Sequence, residues 1–469
     1  MGRTFQLFFV HLLAIVSAAR VNTTTSQLAC SALSAGSLKS LVTTSGPQFE
    51  AGATHAWNLL NSQLVPACVV FPQTTAQVAT AMAAIYKTGA QYAVQTAGGH
   101  SAMEGWDNVQ GGVLIHLMNM RNISYHKASG CVTFQPGLTW GQALDFLEPY
   151  GVAVAGGRVN DVGSGLLLGG GISYLANAVG YSADTMREVD VVLVTGKVVT
   201  ATANNSYSDL FRALKGGANR FGIYDNSSSA AVLTAMAHFA KNVNDPKAAF
   251  LLYQFNSFAN GVITPIIVLN AFYHGSSLPN SSFGEFMAIP SLSTNLTAMS
   301  YYDISYLLGD PGAPISLVEQ FGASVLEGSD DVTPYLEIFS QYSTLCDQFK
   351  TELGGTTLSF TIVMDSQIEA GRARGGNIID APRGGFYMIQ FSMSLPQGPT
   401  NLSPALAAAR QIFFQKAPRT TGLPLYIAES DKSQQVFQTY GGYQEMKATY
   451  AKYDPTRFNV EHTDGPSGL

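Results

Sequence analysis

The sequence predicts an α+β protein of two domains, a glycine-punctuated first half followed by an antiparallel sheet with helical cover. Three observations lead there. The chain has 469 residues, long enough for two domains. It is 46% hydrophobic and only 12% charged, with 46 glycines, which excludes a disordered or coiled-coil protein and requires a packed core. Finally, the pattern changes along the chain. Short apolar runs alternate with helical stretches over 65–240, whereas long strand candidates dominate 245–415.

In the first half, Val69 to Pro72 reads as a strand, and Thr75 to Thr88 as a helix with Val78, Met82 and Ile85 on one face. Tyr92 to Val94, Val113 to Leu117 and Cys131 to Phe134 are further strands. Thr139 to Tyr150 reads as a helix closed by Gly151, and Val189 to Val194 pairs with Val198 to Ala201 around Gly196. No G-x-G-x-x-G stands between a strand and a helix, so this is not a Rossmann unit. In the second half the strands are Phe250 to Phe255, Val262 to Tyr273, Thr357 to Met364 and Gly385 to Met393. Ala323 to Leu326, Tyr335 to Thr351 and Pro404 to Gln415 read as the covering helices. A last helix runs from Gly442 to Tyr453.

Arg3, the apolar run Phe5 to Val16 and the small residues Ser17-Ala18-Ala19 make residues 1–19 a secretory signal peptide. No later stretch reaches the length of a membrane span. Seven Asn-x-Ser/Thr sequons follow, at Asn22, Asn122, Asn204, Asn226, Asn280, Asn295 and Asn401, as expected of a secreted glycoprotein. In an oxidising compartment Cys30 and Cys68 are candidates for a disulfide, with Cys131 and Cys346 expected as buried thiols. The cysteines lack zinc-site spacing, so no metal is expected. The net charge of −6 and the absence of a basic cluster argue against nucleic acid as a partner.

Three glycine-bearing segments carry the chemistry. The first is Gly98-Gly99-His100-Ser101, directly after a strand. The second runs from Val162-Gly163-Ser164-Gly165 to Gly169-Gly170-Gly171, and the third from Asp209 to Phe221-Gly222-Ile223. Glycines at such places let backbone amides approach a pyrophosphate without side-chain interference. In this order the three segments resemble the FAD-binding fold of the vanillyl-alcohol-oxidase superfamily, and within it the fungal secreted FAD-linked oxidases of the berberine-bridge-enzyme type. The resemblance spans Cys30 to Arg457, including Pro66-Ala67-Cys68-Val69 and Tyr453-Asp454-Pro455.

The resemblance implies a two-subdomain, PCMH-type FAD-binding domain at 62–240, a substrate domain at 241–415, and a C-terminal segment at 416–458 that returns to the FAD domain. It implies a histidyl bond from His100 to the flavin 8α-methyl group. Family members with a second, cysteinyl link carry a cysteine just before the Val-Gly of the second segment. Gly157-Arg158-Val159-Asn160-Asp161 has none, so a single link is expected. A neutral imidazole flanked by glycines is a competent and accessible nucleophile for that bond. The remaining cofactor contacts are expected at Gly98, Gly99, Ser101, Val162, Gly163, Gly165, Gly170, Gly171 and Ile223.

The catalytic base is expected at Tyr426, on a late strand, although Ala428 stands where the family carries an amide that could steady the phenol. A half-buried structural tyrosine is the competing reading, and Glu429 a weaker substitute as base. A second departure follows Ile223. The family continues there with Val-Thr, a strand and a connection, whereas this chain passes into Tyr224-Asp225-Asn226-Ser227. One strand and its loop are expected to be absent, which a true deletion and a skipped coding segment explain equally well.

The function implied is hydride transfer from a C–H bond of a small organic substrate to covalent FAD, with dioxygen as acceptor and hydrogen peroxide as product. The protein is expected to act as a secreted monomer. Tyr253 and Phe255 share a strand face that suits a substrate pocket, and Tyr273, Tyr387 and Phe391 are further aromatic candidates. Specialised-metabolite oxidation leads, oligosaccharide oxidation is the alternative, and a glycoprotein that has lost its flavin is the non-enzymatic one.

Overall fold

The structure, a computed structural model, describes residues 23–215, 223–225, 229–292, 294, 297–307 and 317–465. The expected leader at 1–19 and the sequons at Asn22, Asn226 and Asn295 lie outside these residues. The other four sequon asparagines, Asn122, Asn204, Asn280 and Asn401, are all exposed.

The first half is built on a small four-stranded sheet. Its strands are β1 (Val42–Thr43), β2 (Cys68–Val70), β3 (Tyr92–Gln95) and β4 (Val113–His116), in the order β1-β2-β4-β3. β4 runs parallel to both β2 and β3, so every residue of β2 and β4 is buried. The helix Thr75–Thr88 makes the crossover. Its first turn is capped by Thr74, whose hydroxyl accepts from the Gln77 amide, and its end by Gly89 at φ 67°. Met82 and Ile85 are buried in the core and Val78 packs beside them, as the periodicity predicts. A disulfide between Cys30 and Cys68 fixes the helix Thr23–Ala35 onto β2. Closing a loop of 38 residues stabilises the fold by about 4 kcal/mol in the chain-entropy picture.

Two hairpins complete this half, β5 (Ile123–His126) with β6 (Cys131–Phe134), and β7 (Glu188–Val192) with β8 (Val198–Thr202). Cys131 on β6 corrects one expectation, because it is half-exposed rather than buried; its two-stranded hairpin borders an open cavity. Cys346 is buried as expected. The helix expected over Thr139 to Tyr150 ends at Leu147 and gives way to a 3-10 turn, Glu148–Tyr150. Pro149 has no N–H with which to extend the ladder.

The second half is one antiparallel sheet. Its strands are β9 (Ile223–Asp225), β10 (Ala248–Ala259), β11 (Val262–Tyr273), β12 (Glu319–Glu327), β13 (Gly355–Val363) and β14 (Phe386–Ser394), in the order β12-β14-β13-β10-β11-β9. β10 and β11 are joined by Asn260-Gly261, both at positive φ, a turn that matches strand twist. One expectation is corrected. Ala323 to Leu326 lies inside β12 and pairs with β14, because a four-residue apolar run is too short for its period to separate strand from helix. Ile223 to Asp225 form the short β9, paired with Ile266, Ile267 and Val268 of β11.

Alternation gives the sheet two unlike faces. Phe250, Leu252, Leu358, Phe360, Ile389 and Phe391 point to one side, into a core with the helices Ser229–Asn242, Thr333–Gln348 and Pro404–Lys416. The opposite face looks toward the first half. The C-terminal segment then returns to that half, where Lys452 and Tyr453 bind Asp209, Arg212 meets Glu445, and Phe458 enters the first core.

Candidate active site

A cavity of about 2640 Å³ separates the first half from the polar face of the large sheet. Sites for a single small molecule run to about 1,000 Å³, so this one has room for a dinucleotide and a substrate together.

Two of the three glycine segments meet on one wall. Gly98 lies against the backbone of the second segment: an added Cβ would fall 2.4 Å from Gly163 N and 2.7 Å from the Asp161 carbonyl oxygen. Gly163 is equally confined, with Thr96 Oγ1 2.6 Å from where its Cβ would be. These glycines let two loops touch backbone to backbone. The result is a cradle that presents Gly99, His100, Ser101, Val162, Gly163 and Gly165 to the cavity. Such a wall of close backbone fits an elongated phosphate-bearing cofactor, and the residues present therefore fit FAD.

Three glycines expected as contacts stand elsewhere. Gly98 packs behind the wall. Gly170 (φ 102°) and Gly171 (φ 77°) form a turn whose carbonyls accept from the Ala183 and Ser182 amides. That turn carries the following residues Asp184, Thr185 and Met186 to the cavity, so these glycines shape the site without lining it. Ile223 is described only through its backbone, which pairs with Val268.

His100 is held on two sides. The Trp57 ring stacks on its imidazole with centroids 4.4 Å apart and planes 18° apart. Trp57 in turn donates its backbone N–H to the Gly99 carbonyl at 2.8 Å. The Asp161 carboxylate lies 3.9 Å from His100 Nε2. Below this loop, burial pushes the Asp107 carboxyl up to about 8, against the opposing pull of the Ser101 amide and the Gln95 side chain. Nearby His116 is pushed down to about 3, first by burial and then by His55.

The facing wall comes from strand register. Ile266, Phe255, Thr357, Ser392 and Phe321 are successive partners across β11, β10, β13, β14 and β12, and all five line the cavity. Tyr253 joins Phe255 there, so the expected aromatic face is in place. Tyr387 and Phe391 have the other parity and belong to the helix-covered core, with Tyr273 packed beside it. Phe321 also lies 6.0 Å from Trp57, which ties this wall to the His100 side.

Tyr426 is fully buried and does not reach the cavity; its neighbours Ile427 and Ala428 do. Residues 427–429 form a 3-10 turn here, not the strand whose alternation would aim Tyr426 inward. Its hydroxyl has no hydrogen-bond partner among the described residues. Burial, and next the Glu429 carboxylate, hold the phenol well above the usual tyrosine range, while Arg158 pulls the other way. Arg158 is itself buried, lines the cavity, and sits with its guanidinium 5.6 Å from the Tyr174 ring centroid.

Trp57, Arg158 and Glu319 are cavity residues that the sequence does not flag. Trp57 precedes the motif by more than forty positions, and Glu319 opens a strand that only its pairing reveals. A cationic side chain in a glycine-rich, otherwise apolar stretch was the available signal for Arg158. All three tryptophans of the chain, Trp57, Trp106 and Trp140, line the cavity. Among the described residues no helix is long and apolar enough to cross a membrane.

The FAD binding domain family matches residues 66–202. The bifunctional solanapyrone synthase of Alternaria solani is 27% identical over 93% of this chain and 88% of its own length. An FAD-dependent monooxygenase of Arthrobotrys oligospora is 32% identical, a match that spans about half of each chain (52% and 51%). Among solved structures, the glucooligosaccharide oxidase of Acremonium strictum, with its 6-S-cysteinyl, 8α-N1-histidyl FAD, superposes with a TM-score of 0.71. That match covers 92% of this chain and all of the other at 18% identity, a likeness of fold. With the cradle and the cavity on one chain, residues 66–202 belong to the FAD binding domain family, and the whole chain has the fold of the FAD-linked oxidase on which it superposes, which together support an FAD-linked oxidoreductase.

Proposed function

We propose that the chain is a secreted, monomeric oxidase that removes a hydride from a C–H bond of a small ring-bearing alcohol. FAD is held by one bond to His100, and dioxygen is the final electron acceptor. The observation that carries this reading is the row Ile266, Phe255, Thr357, Ser392 and Phe321, which faces the His100 loop across the cavity. Rings at Phe255 and Phe321 bracket two hydroxyls, at Thr357 and Ser392. Such a floor receives the face of a flat substrate and orients its alcohol group. Bound flavin supplies the acceptor for the hydride.

His100 fixes the cofactor, while Gly99, Ser101, Val162, Gly163 and Gly165 take the close backbone contacts. Arg158 enters the cavity with Tyr426 and Glu429 near its charge. In this reading the Arg158 cation meets the substrate's hydroxyl oxygen, and Tyr426, buried behind it as a neutral phenol, acts only by positioning Arg158. The relatives named as a fungal synthase and a monooxygenase favour a specialised metabolite as substrate. The paired hydroxyls favour the second reading, an oligosaccharide, as acted on by the Acremonium enzyme.

The test is acid precipitation of the secreted protein. The yellow colour is expected to stay with the pellet and to move to the supernatant in His100→Ala. A colourless, folded wild-type protein would overturn the enzyme reading. Peroxide release from aromatic alcohols, beside an oligosaccharide panel, decides between the two substrate classes.

A further inference from the structure

We propose that Asp161 positions His100 and accepts its proton when the flavin bond forms, an inference that rests on the histidyl link proposed above. The Asp161 carboxylate faces His100 Nε2 at 3.9 Å, within ion-pair range. Both partners are held in place. Trp57 fixes the plane of the imidazole by stacking, and the Gly99 carbonyl anchors Trp57 through its backbone N–H. On the other side, the Asn160 and Val162 carbonyls accept from the amides of Gly141 and Trp140 at 2.8 and 2.9 Å. Asp161 is thereby clamped to the start of the helix Trp140–Leu147. The contact of Gly98 with the Asp161 carbonyl then sets the separation of the two loops.

A carboxylate facing Nε2 keeps the imidazole proton on that nitrogen, which makes Nδ1 the nucleophilic nitrogen of that tautomer. Joining Nδ1 to the flavin's methyl carbon breaks one methyl C–H bond and the Nε2–H bond. The electron pair of the C–H bond and the two protons end on the isoalloxazine. Dioxygen then takes that pair and both protons to give hydrogen peroxide, which restores the oxidised cofactor. Asp161 carries the Nε2 proton away as the new bond forms, so no positive charge accumulates on the ring. The sequence places this carboxylate directly before Val162-Gly163, in the stretch that lacks the cysteine of bicovalent relatives.

The experiment compares wild type, Asp161→Asn and Asp161→Glu, each produced under riboflavin limitation and then supplied with FAD. Two quantities are read: non-covalent FAD affinity, and the rate at which flavin becomes acid-stable on the protein, checked by intact mass. Asp161→Asn is expected to bind FAD as wild type does but to form the link at least about tenfold more slowly, at the low end for a lost general base. Asp161→Glu is expected to recover most of that rate. An Asn variant that links at the wild-type rate overturns the inference alone, as does loss of FAD affinity in both variants. Wild-type protein that forms no acid-stable flavin overturns the tether, and this inference with it.

Discussion

The two faces of the large sheet are made by the same strands, residue by residue in alternation, yet they do opposite work. Phe360 lies in a core of helices and rings, while its neighbours Ser359 and Thr361 turn their hydroxyls to the other side. On the helix side most side chains are hydrophobes whose value is the area they remove from water, packed around a hydrogen-bonded cluster of Asn256, Tyr342, Cys346 and Thr356. On the cavity side, polar and charged groups are kept buried or half-buried, where each must be satisfied or costs stability. The contrast separates the residues that hold the protein together from those that leave room for chemistry.

The sharpest way to break that contrast is Phe360→Ala. It is expected to destabilise the fold by about 3–5 kcal/mol, read as a lowered melting temperature, with the fraction of acid-stable flavin unchanged in the protein that remains folded. If catalysis fell and stability held, the division between the faces would be wrong.

Tyr426→Phe tests a residue that belongs to neither face. Were it the proton acceptor that the family position implies, its loss would lower kcat about 100-fold with flavin retained. As packing alone, removal of a buried hydroxyl without a partner among the described residues would leave turnover intact and stability equal or higher.

Asp107→Asn asks what the polar wall costs. The folded chain keeps the Asp107 proton up to about pH 8, whereas the unfolded chain releases it near the ordinary aspartate value of 3.8. The native state therefore holds more protons between those limits, and stability falls as pH rises through them. Asn removes this dependence. The variant is expected to gain on wild type from pH 4 to pH 8, by on the order of 2 kcal/mol after allowance for the amide's own burial. A melting-temperature gap that does not widen over this range would show that the carboxyl is already compensated.

What the sequence disclosed and what it withheld follow from distance along the chain. The cradle was legible because its meaning is local: glycine pairs after a strand state that backbone must come close to something, and Gly98 and Gly163 do meet. The helix Thr75–Thr88 was legible from its period and caps, and Cys30–Cys68 from compartment and pairing. Trp57, Arg158 and Glu319 were not, because each reaches the cavity through contacts that no local pattern encodes. The parity of Phe255 and Tyr253 was readable within one strand. That their row continues through Thr357, Ser392 and Phe321 required the register of five strands. Tyr426 shows the reverse failure: a family position was carried over, but the local turn aims the side chain into the core.

The placement of the three tryptophans gives the protein a built-in optical gauge. Since Trp57, Trp106 and Trp140 all border the same cavity, the chain holds no indole remote from the space proposed for the flavin. Indole emission overlaps flavin absorption, so intrinsic fluorescence reports cofactor loading with no background from distant emitters. A population mixed in flavin content would read as a brightness, sortable without a substrate and without a label.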